Sequence, residues 1–287
     1  MATTTQTHTS ADKFGTTADI PIPRGDTTST LTFYAPPVDG SAPWNYVEQP
    51  PAGHPQRNYG ENNHDVTIHD IRGREASFDL NTHGFATLSH QPASAETAFA
   101  DDAHIQQTYY PEVERLLLTH VPGADRVFIF DHTIRRSDPA AKRAPVTRAH
   151  IDQTTKSATQ RVHHHMGAEA DALLQGRVRL INVWRPLNGP VVASPLAFAD
   201  STSVPDEDIV GVEHRYPDRT GETAGVKFTE HGRWFYWSGM GNEERILLQC
   251  FDSRDGARTP HSAFVDRRTQ EGWPGRESIE VRALVFG

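Results

Sequence analysis

Beyond Arg177 the chain is cut by turn residues into short apolar runs, none longer than a strand needs. The runs are 177–185 (RVRLINVWR), 190–199, 226–230, 233–239 (RWFYWSG), 245–252 (RILLQCFD) and 279–286 (IEVRALVF). They are rich in β-branched and aromatic residues, which suit a pleated, half-buried surface. With 21 glycines and 20 prolines in 287 residues, the chain favours many short strands joined by turns over long helices.

Upstream, 29–35 (STLTFYA) and 65–71 (DVTIHDI) read as strands, joined by a Pro/Gly/Asn-rich stretch read as a long surface loop. A strand or hairpin is expected over Ala76–Ser89, with Gly84 as its turn or bulge. Ser94–His120 carries Ile105, Tyr109, Val113, Leu116 and Leu117 at helical spacing, with Pro111 starting or kinking the helix. Residues 126–132 and 144–152 read as further strands. A second helix is expected over Thr155–Gln175, striped by Ala158, Val162, Met166, Ala170, Leu173 and Leu174 and stopped by Gly176. Two helices followed by a run of short strands predict a jelly-roll-like β-sandwich with helices packed outside.

Charge and composition remove several function classes. A net charge of −9 argues against a nucleic-acid partner, which requires a basic face. The one cysteine, Cys250, cannot form an internal disulfide. The first residues, expected as a flexible tail over 1–25, contain no apolar signal segment, and no run approaches the roughly 20 residues that cross a bilayer. A cytoplasmic protein with no membrane partner is the expectation, with 26–287 as one domain. For oligomeric state, base rates offer a homodimer.

His150-Ile151-Asp152 is the first candidate for chemistry. Alternate residues on a strand share a face, so the imidazole and carboxylate would stand side by side. Such a pair and one distant histidine make the 2-His-1-carboxylate set that holds iron(II) and leaves positions open. By itself the pair is weak, since 16 histidines and 37 acidic residues yield about two such spacings by chance. His261, in TPHSAFVD, is the candidate distal histidine. Arg276 and Ser278 follow near the last strand, where a guanidinium fork and a hydroxyl on one face suit a carboxylate. The bland alternative is that Arg276, Ser278, Glu280 and Arg282 form a solvated strand face.

These residues sit among longer stretches: VFIFDHTIRR (127–136), RAHIDQT (148–154), INVWRPLNGPV (181–191), PLAFADSTSV (195–204), RWFYWSGM (233–240), LLQCFDS (247–253), PHSAF (260–264) and RESIEVR (276–282). Over roughly 65–287 the chain resembles the fungal and bacterial non-haem iron(II)/2-oxoglutarate oxygenases, which include fungal gibberellin desaturase, the cephem-methoxylation protein and the endoperoxide-forming oxygenase of novofumigatonin biosynthesis. The resemblance implies a mainly β, cupin-like double-stranded β-helix (jelly roll) with flanking α-helices. It also implies iron bound by His150, Asp152 and His261, with 2-oxoglutarate and O2 as cosubstrates and Arg276 with Ser278 toward 2-oxoglutarate. The implied activity is hydroxylation, desaturation or endoperoxide formation by C–H abstraction on a small specialised metabolite.

Asn182, Trp184 and Arg185 are candidate substrate-pocket residues. The first two share a strand face, and Arg185 lies opposite, where it would bind an acid group or sit as a paired structural arginine. His163-His164-His165 lie on a helix, where neighbours point about 100° apart and cannot share one metal. Asp131-His132 is read as a structural hydrogen-bonding pair, or one orienting a ligand, the RWFYW cluster as core, and Cys250 as packing. Two other readings compete: a cupin-like metalloenzyme without 2-oxoglutarate, and a non-catalytic binding sandwich. A hydrolase is not expected, since the sequence has no G-x-S-x-G elbow and Cys250 sits in no nucleophile context.

Overall fold

The computed structural model describes residues 20–137 and 144–287. Most of the expected tail lies outside the described residues; at its end Arg24 and Gly25 are hydrogen-bonded to Ser238 and Asp70. The strands, in chain order, are β1 (Thr27–Ala35), β2 (Trp44–Tyr46), β3 (Gly60–Asp70), β4 (Phe85–Leu88), β5 (Arg126–Arg136), β6 (His150–Ile151) and β7 (Val178–Pro186). They continue as β8 (Leu196–Ala199), β9 (Ile209–Arg215), β10 (Thr220–Val226), β11 (Trp234–Tyr236), β12 (Arg245–Asp252), β13 (His261–Ala263) and β14 (Glu277–Phe286). Helices are α1 (Leu80–His83), α2 (Asp102–His120), α3 (Thr155–Met166) and α4 (Ala170–Leu173).

The strands make two sheets: a large one ordered β1-β3-β11-β8-β13-β6-β10-β9-β2 and a small one ordered β4-β12-β7-β14-β5. The chain passes back and forth between them: β5 is in the small sheet, β6 in the large, β7 small, β8 large, β12 small, β13 large, β14 small. That alternation is the jelly-roll pattern, the double-stranded β-helix expected from the sequence.

Burial explains the layering. Every residue of β7 is buried, as a strand flanked by β12 and β14 and covered on both faces must be. Ile181 and Val183 pack with Ile105, Tyr109, Val113 and Leu117 of α2. Leu180 turns the other way, into a core shared with Leu31, Phe33 and Ile151 of the large sheet. Each such apolar side chain, taken fully out of water, contributes about 1.5–3 kcal/mol.

The helices depart from expectation at their ends. α2 starts at Asp102, not Ser94, because Asp101 caps it through His104 N while Glu96 holds Ala98 and Phe99 in a loop. Pro111 lies inside α2 on an exposed face, where the Gln107 carbonyl it leaves unpaired meets water. α3 begins with a Thr154/Ser157 capping box and stops at Gly167, whose φ of 53° breaks it before the expected stop at Gly176. The expected stripe survives the break, since Ala158, Val162, Met166 and Ala170 are all buried in one cluster.

Other expectations need correction. Ala76–Ser89 is a 3-10 turn, α1 and β4, and Gly84 is the left-handed cap of α1, not a strand turn. The expected long loop contains β2 and the start of β3. Of the expected strand 144–152, only His150–Ile151 is regular strand. β9 and β10 lie where only 226–230 was read as strand: their mixed polar pattern reflects partial exposure.

Candidate metal centre

β6 is two residues long and is held between β10 and β13. Gly225 pairs with His150 on one side and His261 with His150 on the other. Directly opposed antiparallel residues point to the same face. The two imidazoles therefore meet, with ring centroids 4.6 Å apart. Asp152 follows two residues after His150, in the bend that the capped α3 terminates. Its carboxylate lies 3.5 Å from His150 Nε2. Ligand atoms of His150, Asp152 and His261 all lie within 4.8 Å of one another.

Hydrogen bonds select which atoms face the centre. His150 Nδ1 lies 2.8 Å from the Arg148 carbonyl and His261 Nδ1 lies 3.1 Å from the Thr259 carbonyl. A carbonyl only accepts, so both protons sit on Nδ1 and both Nε2 lone pairs remain free. Asp152 Oδ2 accepts from Asn182 Nδ2 at 2.8 Å and from Arg282 Nε at 2.7 Å, which turns Oδ1 inward. Burial alone would raise the Asp152 carboxyl, but the Arg282 guanidinium beside it holds it well below the usual carboxylate range. Burial, with His150 alongside, lowers His261 from the ordinary imidazole value. Two imidazole Nε2 atoms and one carboxylate oxygen on one side of a common point form a donor set suited to iron(II).

Sequence reasoning left Arg282 on a strand face. It is instead the hub behind the centre, bonding Asp152, Asp131 at 3.1 Å and Glu280 at 2.8 Å. The pairings Arg282↔Asp131 and Arg282↔Asn182 across β14 create this hub. The alternation Arg276, Ser278, Glu280, Arg282 was the available signal; which residues opposed it required the strand pairing. His132 parts from Asp131, with its Nδ1 3.0 Å from the Tyr110 hydroxyl.

A narrow cavity adjoins the cluster, lined by His150, His261, Trp184, Arg276, Ser278 and Glu280 among others, with about 20 Å³ free. Arg276 is buried, donates from Nη1 to the Ser194 carbonyl at 2.8 Å, and has its Nε without a partner. Burial pulls its guanidinium down to about 10. Of the candidate pocket residues, Trp184 lines this cavity, with Arg276 5.4 Å from its ring centre. Asn182 does not: it stands behind Asp152, fully buried. Arg185 faces away, over Phe99 and Tyr109 beneath α2. His163 and His164 are exposed, while Trp234–Trp237 and Cys250 are core.

A jelly roll with a His-Asp-His cluster between its sheets defines a cupin-type metalloprotein. A family model described as an oxidoreductase/YMDC permease-like domain matches residues 31–286. No helix among the described residues is long and apolar enough to cross a membrane. The chain is 36% identical to the hydroxylase/desaturase poxK of Penicillium oxalicum, over 93% of each chain. It is 34% identical to the Fe(II)/2-oxoglutarate-dependent dioxygenase nvfI of Aspergillus novofumigatus, over 90% of this chain and 96% of that one. The solved structure of the iron and alpha-ketoglutarate-dependent endoperoxidase NvfI superposes with a TM-score of 0.84 at 32% identity, covering 92% of this chain and 99% of that one. This chain belongs to the family of fungal iron(II)/2-oxoglutarate-dependent oxygenases. The 2-oxoglutarate dependence named for nvfI and for the solved NvfI structure favours that assignment over a cupin-like enzyme without 2-oxoglutarate and over a non-catalytic sandwich.

Proposed function

We propose that His150, Asp152 and His261 hold iron(II), and that Arg276 with Ser278 receives the far carboxylate of 2-oxoglutarate, in an enzyme oxidising a small specialised metabolite. The observation that carries this is the convergence of two free Nε2 atoms and one Asp152 oxygen beside a cavity holding a buried arginine with an unused donor. When bound, iron(II) with 2-oxoglutarate and O2 supplies the oxidising power to break an unactivated C–H bond.

The chain's own residues do the positioning. The Arg148 and Thr259 carbonyls fix the two imidazole tautomers, and Asn182 and Arg282 fix the rotation of Asp152. Arg276 offers charge where burial strengthens its pull on an anion. Trp184 walls the cavity against water, and a diacid enters by displacing side chains that now narrow it. The same reading takes 26–287 as one folded unit, cytoplasmic, with a homodimer as the base-rate state.

The test is anaerobic reconstitution with iron(II) and 2-oxoglutarate, then exposure to O2 with candidate metabolites. Succinate is measured, with mass changes of one oxygen, two oxygens or two hydrogens. His150→Ala should lose both iron and turnover. Succinate formation unchanged in that variant would sink the proposal.

A further inference from the structure

On the outer face of the small sheet, turned away from the metal cluster, two buried arginines stand side by side. Arg185 on β7 and Arg245 on β12 are 5% and 3% exposed. Ile246 pairs with Trp184, so the antiparallel register sets Arg245 directly opposite Arg185. Directly opposed side chains start about 4.5–5.5 Å apart at Cβ, and like charges there repel. Among the described residues neither arginine has a carboxylate within ion-pair distance, although buried charges are normally paired.

Their hydrogen bonds address geometry but not charge. Arg185 Nε donates to the Pro186 carbonyl at 3.2 Å, and its Nη1 is buried without a partner. Arg245 Nη1 donates to the carbonyls of Asn242 at 2.6 Å and Glu244 at 3.0 Å. The Tyr109 hydroxyl is also buried, and the group it lies against is the Arg245 guanidinium, a donor that leaves the hydroxyl's own proton without an acceptor. Burial lowers the Arg245 guanidinium, and Arg185 adds to that pull; Glu112 is the acidic group acting against it, and its carboxylate accepts from Ala95 N at 2.8 Å. Two open clefts meet at Ala93: one reaches Tyr109 and Arg245, the other Phe99 and Arg185.

We propose that Arg185, Arg245 and the Tyr109 hydroxyl form a site for a small oxyanion, a carboxylate or phosphate group, on the face of the small sheet under α2. The ligand enters from the clefts beside Ala93, neutralises the opposed pair and accepts from Arg185 Nη1 and the Tyr109 hydroxyl. The site is separate from the cavity of Arg276, and the inference does not depend on the iron assignment.

The full chain, loaded anaerobically with iron(II), is melted while phosphate or acetate is titrated at an ionic strength held constant with sodium chloride. A ligand near 100 times its Kd should raise Tm by roughly 5 °C. The rise should saturate, persist in Arg276→Met, and need about tenfold or more ligand in Arg185→Met and in Arg245→Met. A response to phosphate alone assigns a phosphate group, and a response to acetate assigns a carboxylate. No saturable rise beyond chloride, or a rise that survives in both variants, overturns the site. Should the variants not fold, wild-type crystals soaked in selenate decide it by anomalous scattering. A peak beside Arg185 Nη1 supports the site, and none at saturation removes it.

Discussion

Replacing Asn182 by leucine should weaken metal binding about 10–100-fold while leaving the metal-free fold nearly as stable as before. Asn182 is fully buried on β7, and its Nδ2 is one of two donors to Asp152 Oδ2. Removing a group that orients a metal ligand typically costs about 10–100-fold in affinity, whereas the bond's own energy, about 1.5–3 kcal/mol, is lost from the metal-free and metal-loaded chains alike. The apo protein loses that bond, but it also loses the Asn182 Oδ1, which is buried without a partner. Leucine has the same branching and number of side-chain heavy atoms, so the two changes should offset to within about 1–2 kcal/mol, its bulkier methyls included. Anaerobic calorimetry with iron(II) reads the affinity, and a urea melt of the metal-free chain reads the stability. Affinity within about twofold of wild type would refute the view that Asn182 orients Asp152. A large fall in apo stability would show instead that Asn182 holds up the sheet.

Arg276→Met should raise the KM for 2-oxoglutarate about tenfold or more while iron binding stays intact, measured by succinate release at varied cosubstrate. An unchanged KM would remove Arg276 from the cosubstrate site. Arg282→Leu should cost about 3–5 kcal/mol near neutral pH, because it leaves Asp152 and Glu280 buried without their cation. The folded Asp152 carboxyl lies below its unfolded value of about 3.9, so its contribution is present above that pH and fades as pH falls through the folded value. The stability gap between wild type and variant should therefore narrow progressively as urea melts are carried below about pH 3.9. Thr154→Ala should cost about 1 kcal/mol in thermal melts, since Thr154 caps α3 directly after the stretch that carries His150 and Asp152. No loss would show that the cap does not hold the start of that helix.

The class of fold was legible in the residues, because punctuation by glycine and proline and runs of β-branched and aromatic residues are local properties. It also marked α2 and the stripe of α3, whose spacing of buried residues repeats every turn. His150 and Asp152 were legible together, since a strand's two-residue period places them on one face whatever the rest of the chain does. Helix ends and weak strands were less legible. Gly167, not Gly176, broke α3, and β9 and β10 carry too little apolar alternation to stand out.

What stands opposite what followed from the folded sheets alone. That His261 faces His150 depends on a one-residue register between β13 and β6, and a slip of one residue would turn the imidazole to the other face. The same is true of Arg282, whose role behind Asp152 follows from its partners on β5 and β7. Arg185 makes the point in reverse: the sequence placed it one residue from Trp184, and the pleat sent it to the far side of the sheet, opposite Arg245. Strand pairing is a contact between distant segments, and its energy is spread over whole sheets, so no local stretch of residues encodes it.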